Sequence, residues 1–141
     1  MKKIPVLVTT LLTLCYSSAG SAGESAEAPV IIDNEFRSAS GSQASARFAD
    51  NDLEAIGCGA TVRDAEEGVL SFGFCQATDA NGDEAFCATF SPELIGAINA
   101  ISNYGFIRFT WNEQDECVSV RNSTQSIYIP DFRSEKSKKS K

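Results

Sequence analysis

The fold is decided by residues 69–90, which read VLSFGFCQATDANGDEAFCATF. Apolar residues occupy alternate positions on both sides of a central turn: Leu70, Phe72, Phe74, Phe86, Ala88 and Phe90. A period of two is typical of half-buried β-strands. The turn contains Asn81 followed by Gly82, a dipeptide that strongly favours a tight β-hairpin. These residues therefore predict two antiparallel strands whose phenylalanines face the core.

Further strands are predicted before this hairpin, in the short run 44–49 and in residues 53–63. One face of the second run is formed by alternate positions: Ile56, Cys58, Ala60 and Val62. The charged residues 64–68 then supply the turn that leads into the hairpin. Because consecutive strands usually pair with one another, we expect an antiparallel meander.

A helix is predicted directly after the hairpin. Ser91 offers a hydroxyl N-cap, Pro92 fits the first helical position, and Glu93 is favoured by the helix dipole in the first turn. Apolar residues then recur at helical spacing: Leu94, Ile95, Ile98 and Ile101. This stripe predicts a short amphipathic helix that packs on the sheet.

Two strands at residues 106–112 and 117–122 complete the pattern, joined by the acidic turn 113–116. Their predicted core residues are Ile107, Phe109, Trp111, Val118 and Val120. The predicted fold is therefore α+β: a small antiparallel sheet of about five or six strands, formed by a meander and a C-terminal hairpin, with one helix on one face and two disulfides.

The N-terminus has the order of a secretory signal. Lys2 and Lys3 precede an apolar run at residues 4–16 and small residues at 17–22. The apolar run is too short for a permanent transmembrane span. Cys15 offers an alternative as a lipidated first residue of a lipoprotein, although Leu14 occupies a position where a small residue is normal.

Four segments follow from these signals. Residues 1–22 are predicted to be a signal peptide, and residues 23–43 a flexible N-terminal segment. Residues 44–132 are predicted to form a single disulfide-bonded α+β domain. Residues 133–141 contain five cations and are predicted to be a basic, disordered tail. The protein is thus expected to be exported, to the periplasm or the medium.

The negative charge is concentrated in the middle of the chain. Residues 23–132 contain eighteen carboxylates and five arginines, a net charge of −13, whereas the whole chain carries −7. Nucleic acids and anionic lipids bind proteins through lysine and arginine, so neither is expected to bind this region. A basic protein is the partner that the charge favours. The basic tail is expected either to contact an anionic envelope surface or to fold back on the acidic region.

Four cysteines remain after Cys15, and in an exported protein they predict two disulfides. If the hairpin turns near Asn81, Cys75 and Cys87 lie opposite each other on one face, within the range that a disulfide requires. We therefore favour Cys75–Cys87 with Cys58–Cys117. The alternative, Cys58–Cys75 with Cys87–Cys117, stays open because a turn near Glu66 brings Cys58 opposite Cys75.

One turn resembles a cation site in its composition. It contains four oxygen-bearing side chains, the calcium candidates Asp79, Asn81, Asp83 and Glu84. Alternating oxygen ligands in a turn can surround Ca²⁺. However, glycine is at the fourth position of the loop instead of the sixth, and Phe90 is where the bidentate glutamate should be. The same residue types are common in solvated hairpin turns, so we predict that the protein has no metal.

A candidate partner-binding region is predicted at one end of the molecule. If the helix runs back across the sheet, two acidic turns emerge at the same end: Asp64, Glu66 and Glu67 from the first turn, and Glu113, Asp115 and Glu116 from the second. Such an acidic end can steer a basic partner at low salt.

The composition argues against most catalytic sites. The chain has no histidine, which removes the commonest general base and the Ser-His and Cys-His nucleophile pairs. Neither a phosphate-binding loop nor a nucleophile elbow is present, and we expect no cofactor. Paired carboxylates remain as the one route to catalysis.

The sequence thus favours a small, exported, non-catalytic binding protein of the bacterial envelope or medium. Its acidic character suits an inhibitor or a sequestering partner of a basic secreted protein. Two alternatives are a small carboxylate-dependent hydrolase and a structural component of a surface assembly. Two carboxyl groups that share a pocket would favour the first, and exposed sheet edges would favour the second.

Overall fold

The computed structural model describes residues 25–66 and 68–130. In this part of the chain the helices and strands are β1 (Ile31–Asp33), β2 (Ser38–Ser42), α1 (Gln43–Arg47), β3 (Ala55–Ala65), β4 (Gly68–Thr78), β5 (Glu84–Thr89), α2 (Pro92–Asn99), β6 (Phe106–Trp111) and β7 (Cys117–Ser123), followed by the 3-10 turn Ser126–Tyr128. The predicted signal peptide and basic tail lie outside the described residues.

The described strands form two antiparallel sheets, not the single sheet that we predicted. One sheet has four strands in the order β1-β2-β6-β7, and the other has three in the order β3-β4-β5. The antiparallel pairing and the helix packed on it are confirmed. In the part of the chain that the structure covers, no helix is long and apolar enough to cross a membrane.

The four-stranded sheet includes a segment whose sequence shows no alternation of apolar and polar residues. Residues 31–42, which we expected to be flexible, form β1 and β2, and β2 pairs with both β1 and β6. The side chains of β2 are small, and Ala39 and Ser42 are fully buried. Of residues 44–49, which we expected in a strand, residues 44–47 instead lie in α1, because the Ser42 hydroxyl caps the helix by accepting from the Ala44 amide at 3.2 Å.

The three-stranded sheet buries the face opposite to the one that we predicted. Its inner face carries small residues, with Cys75 and Cys87 fully buried, while Phe86 is 52% exposed and Phe90 is 69% exposed. Alternation identifies the two faces of a strand but not which of them packs on the core. The close approach of α2 determines which face is buried, because only small side chains on that face leave room for the helix.

Helix α2 lies against both sheets. Ser91 Oγ accepts from the Leu94 amide at 3.3 Å, and Pro92 begins the helix, as the sequence predicted. Ile95 and Ile98 are buried. On the opposite sheet, Asn122 Nδ2 donates to the Ala97 carbonyl at 3.2 Å. The helix therefore closes the core between the two sheets.

The C-terminal hairpin supplies the largest buried side chains. Ile107 and Phe109 are fully buried, as predicted, and Val120 pairs with Phe109. Val118, predicted to be a core residue, is 60% exposed. The register shifts at Trp111, which pairs with Cys117 through a bulge, and this extra residue turns the Val118 side chain outward.

The two disulfides are confirmed, but the pairing that we favoured is wrong. The bonds are Cys58–Cys75 and Cys87–Cys117. Cys75 is on the central strand and is in register with both Cys58 and Cys87, so the two hairpins alone allow either partner. The sulfurs of Cys75, Cys87 and Cys117 all lie within 4.8 Å of one another. The approach of β7 to β5 joins Cys87 to Cys117 and leaves Cys75 for Cys58.

Candidate functional site

A cleft of about 610 Å³ lies where one end of the three-stranded sheet meets two turns of the four-stranded sheet. Three alanines form part of its lining, and the remaining residues are Asn34, Gln76, Thr78, Glu84, Phe86, Trp111 and Asp115. The lining residues, including the alanines, come from β3, β4, β5, the end of β6 and the turns after β1 and β6. The cleft therefore exists only because the two sheets meet.

Two aromatic side chains of the cleft are held in place by their neighbours. Phe86 stacks on Phe74, with ring centroids 6.4 Å apart and an interplanar angle of 23°. Trp111 packs against the buried Phe109 at 5.8 Å, and its backbone amide donates to the Arg37 carbonyl at 3.1 Å. These contacts restrict both rings in the free protein, which reduces the entropy lost on binding.

The second acidic turn is anchored against the edge of the three-stranded sheet. The Ala88 amide of β5 donates to the Asp115 carbonyl at 3.0 Å. Within the turn, Asn112 Oδ1 accepts from the amides of Gln114 and Glu116 at 2.9 and 3.0 Å. Asp115 has a φ of 55°, a left-handed conformation that aspartate tolerates better than most residues. These contacts bring Asp115 to the cleft.

Glu84 and Asp115 are the two carboxylates of the cleft. Both are exposed, and neither makes a side-chain hydrogen bond or an ion pair with another described residue. Among the described residues no lysine or arginine lines the cleft, and the nearby Arg37 is paired with Glu113, with Nη2 and Oε1 3.0 Å apart. Two carboxylates and two aromatic rings line the cleft, and these groups attract a cationic group through Coulomb and cation–π interactions, respectively.

The predicted acidic end is not brought together. Asp64 pairs with Val69 near the tip of the β3–β4 hairpin, whereas Asp115 contacts β5 at Ala88, which pairs with Phe74. Five residues of β4 separate Val69 from Phe74, roughly 16 Å along the strand. Glu66 lies in the turn that follows β3 and is close in sequence to Asp64. In the other turn, Glu113 and Glu116 lie on either side of Asp115 in sequence. Glu67 lies outside the described residues.

The calcium candidates form a hydrogen-bonded turn. Asp79 is buried, and its Oδ1 accepts from the amides of Asn81 and Asp83 at 2.8 and 3.0 Å. Its Oδ2 accepts from Asn81 Nδ2 at 3.5 Å. The Asp79 carboxylate thus shapes the β4–β5 turn, and Glu84 lies apart in the cleft. Among the described acids and cysteines, the group whose ligand atoms converge is made of Cys75, Cys87 and Cys117, which are bonded in disulfides.

Phe86, Trp111 and Asn34 were not predicted as site residues. The phenylalanine and the tryptophan were assigned to the core on their alternation, and the turn that holds Asn34 was assigned to a flexible segment. An aromatic residue at the very end of a predicted strand was the available signal, since Trp111 lies where β6 ends. Comparison with protein-family models, with curated proteins and with solved structures finds no match for this chain.

Proposed function

We propose that this protein is an exported, non-catalytic binding protein whose cleft takes a lysine or arginine side chain of a basic partner protein. The observation that carries the proposal is the combination of Glu84 and Asp115 with Phe86 and Trp111 in one cleft that, within the described part of the chain, no cation lines. A cationic side chain between these groups gains both charge pairing and a favourable ring contact. By occupying its partner in this way, the protein would act as an inhibitor or a sequestering protein.

The charge of residues 23–132 supports a basic partner. Residues 23–132 carry −13, so a cationic protein is attracted from a distance and the cleft then provides the contact. Two disulfides support export, because disulfides persist in the periplasm and the medium but are rare in the cytosol.

A carboxylate-dependent hydrolase is a second candidate, because Glu84 and Asp115 line the same cleft. Glycoside hydrolysis uses two such groups, one of them as a general acid in apolar surroundings. Both residues are exposed here, so the surroundings favour binding over catalysis. Release of reducing ends from bacterial cell-wall glycan by the protein, but not by Glu84→Gln, would replace the binding proposal by this one.

The binding proposal is tested by titration with an arginine- and lysine-rich peptide that lacks tryptophan. Trp111 is the only tryptophan of the chain, so its fluorescence reports on the cleft. We expect a saturable change at about 50 mM salt that weakens at about 500 mM salt. Glu84→Gln and Asp115→Asn should each weaken binding about tenfold, equivalent to about 1.4 kcal/mol.

Matched variants separate the cleft from general charge attraction. Asp64→Asn and Glu66→Gln remove the same charges from the far end of the β3–β4 hairpin. These variants should change the dissociation constant less than twofold to threefold, in keeping with the small effect of distant surface charges. An equal loss of peptide affinity in both pairs of variants would contradict the proposed site. The absence of a fluorescence change at low salt would also contradict it.

A further inference from the structure

The outer face of the three-stranded sheet carries four phenylalanines that the core does not cover. They are Phe72, Phe74, Phe86 and Phe90. The ring centroids are 6.3 Å apart for Phe72 and Phe90 and 6.4 Å apart for Phe74 and Phe86. Phe86 is 52% exposed and Phe90 is 69% exposed. A contiguous apolar patch of this kind is typical of an interaction surface.

Glycines on β3 keep this aromatic face flat. Gly57 pairs with Gln76, and Gly59 pairs with Phe74. A Cβ atom at Gly59 would lie 2.9 Å from Phe74 Cζ, so the phenylalanine ring lies across the space that a β3 side chain would fill. The aromatic face can therefore approach a second flat sheet at the usual spacing of about 10 Å.

Charged residues lie at the two ends of this face and not between them. Residues directly opposite in the register share a face, which places Arg63 beside Leu70 at one end and Glu84 beside Thr78 at the other. The paired positions between them hold glycine, threonine, glutamine, alanine and phenylalanine. Elsewhere the excess of carboxylates brings like charges together when two copies approach.

We propose that two copies of this chain associate through the aromatic face, with a two-fold axis that crosses the strands. This axis reverses the strand direction of the second copy and brings its Arg63 to the end of the interface that holds Glu84 of the first copy. An axis along the strands would bring the two Glu84 side chains to the same end. A two-fold interface is self-complementary, so each of its ends holds one Arg63 and one Glu84, which lie on the two edge strands, roughly 10 Å apart across the sheet.

The size of the face sets the expected strength of the dimer. From Leu70 to Thr78, β4 advances eight residues, roughly 26 Å, and three strands are roughly 14 Å wide. The footprint of roughly 360 Å² per copy is about half of a standard interface. An interface of this size belongs to the weak, transient class, so we expect a dimer that forms reversibly at high protein concentration. The proposal does not rest on the binding of a basic partner, although the face and the cleft share Phe86 and Glu84.

Sedimentation velocity of the purified protein tests the dimer. Between about 1 and about 500 μM, the weight-average mass should rise from one chain towards two, as expected for a small reversible interface. Sulfate at about 500 mM should strengthen the association, because it favours apolar burial and screens like charges. Binding of a cationic peptide weakens with salt, whereas dimer formation should strengthen. The dimer and the peptide-binding cleft can therefore be confirmed or rejected separately.

Two phenylalanine variants supply the matched comparison. Phe90→Ser removes an exposed ring from the aromatic face, outside the cleft, and should weaken the dimer at least tenfold. Phe36→Ser removes a ring that is 73% exposed in the turn between β1 and β2, on the other sheet, and should leave the dissociation constant unchanged. Unchanged melting temperatures of the two variants would show that both are folded.

Charge exchange tests the direction of the axis. Arg63→Glu should weaken the dimer, and the double variant Arg63→Glu with Glu84→Arg should restore it. A protein that stays monomeric at about 500 μM in sulfate, which strengthens apolar burial, would overturn the proposal. Equal weakening by Phe90→Ser and Phe36→Ser would also overturn it. If the protein instead stayed monomeric and bound insoluble polysaccharide, and if Phe90→Ser abolished that binding, the ligand of the aromatic face would be a glycan and not a second copy.

Discussion

At the scale of single residues, small side chains form the buried faces of β2, β4 and β5. Ala39, Cys75 and Cys87 are fully buried, whereas Phe86 and Phe90 are more than half exposed. The core therefore gains its close packing from short side chains and from a few large ones on β6.

Gly73 is the residue at which this packing is tightest. A Cβ atom there would lie 2.6 Å from Ile98 Cδ1 and 3.3 Å from Ile95 Cγ1, and both isoleucines are buried. We expect Gly73→Ala to lower the free energy of unfolding by about 1–2 kcal/mol, because overpacking outweighs the gain from a less flexible unfolded chain. Urea denaturation followed by Trp111 fluorescence measures the difference.

Gly57→Ala is the control for that prediction. No atom lies within 4 Å of a Cβ built at Gly57, so the substitution should leave the stability equal or slightly higher. If Gly73→Ala were as stable as Gly57→Ala, the close approach of α2 to β4 would not be a constraint on the sequence.

At the scale of whole elements, α2 begins where the local sequence predicted that it would. Ser91 Oγ accepts from the Leu94 amide at 3.3 Å and donates to Glu93 Oε2 at 2.8 Å. The second hydrogen bond lowers the pKa of Glu93 below its ordinary value, with a smaller contribution from the backbone amide of Glu93. The start of the helix is thus a closed hydrogen-bonded unit, which is why the sequence predicted it correctly.

Ser91→Ala should lower the free energy of unfolding by about 1 kcal/mol at pH 7, through loss of the N-cap. A carboxyl whose pKa is lowered in the folded state stabilises that state above its unfolded pKa, and the effect is lost as the pH falls through the lowered value. The destabilisation should therefore be larger at pH 7 than at about pH 3. Denaturation curves at the two pH values measure it.

The control for the cap is Ser126→Ala. Ser126 is exposed, and its side chain makes no hydrogen bond with another described residue, so both pH values should give wild-type stability. A loss from Ser91→Ala that is the same at both pH values would show that Glu93 takes no part in the cap.

At the scale of the whole molecule, the joining of two sheets creates the features with functional interest. The sheets meet through α2, through the Ala88 amide that donates to the Asp115 carbonyl, and through the Cys87–Cys117 disulfide. The cleft lies at this junction, and the aromatic face lies on the outer side of one sheet. The proposed binding of a partner therefore depends on the contact between the sheets.

Removal of the inter-sheet disulfide should disturb the cleft as well as the stability. Cys87 and Cys117 are 30 residues apart, so the loop-entropy account gives about 3.6 kcal/mol, against about 3.1 kcal/mol for the 17-residue separation of Cys58 and Cys75. Trp111 pairs with Cys117. We expect Cys87→Ala with Cys117→Ala to alter Trp111 fluorescence in the folded state, and Cys58→Ala with Cys75→Ala to leave it unchanged.

Urea denaturation and native-state fluorescence of the two double variants measure both effects. Non-reducing peptide mapping of the wild-type protein belongs with them. A Cys75–Cys87 peptide would contradict the pairing on which the comparison depends.

The sequence alone determined the features that depend on neighbouring residues. Alternation identified β3 to β7, the residues 91–93 identified the start of α2, and the four cysteines implied two disulfides. The net charge, which makes a basic partner the expected one, is also a property of the composition.

Tertiary structure decided the buried face of β4 and β5, the division into two sheets, the cysteine partners and the cleft. A period of two is the same for both faces of a strand, so only the approach of α2 at Gly73 could turn the phenylalanines outward. β2 has small residues without alternation, and its pairing with β6 makes it a strand. Cys75 has a neighbour on each side, and a contact between residues far apart in the chain selects Cys58. Local patterns do not contain such long-range contacts, and these contacts created the candidate site.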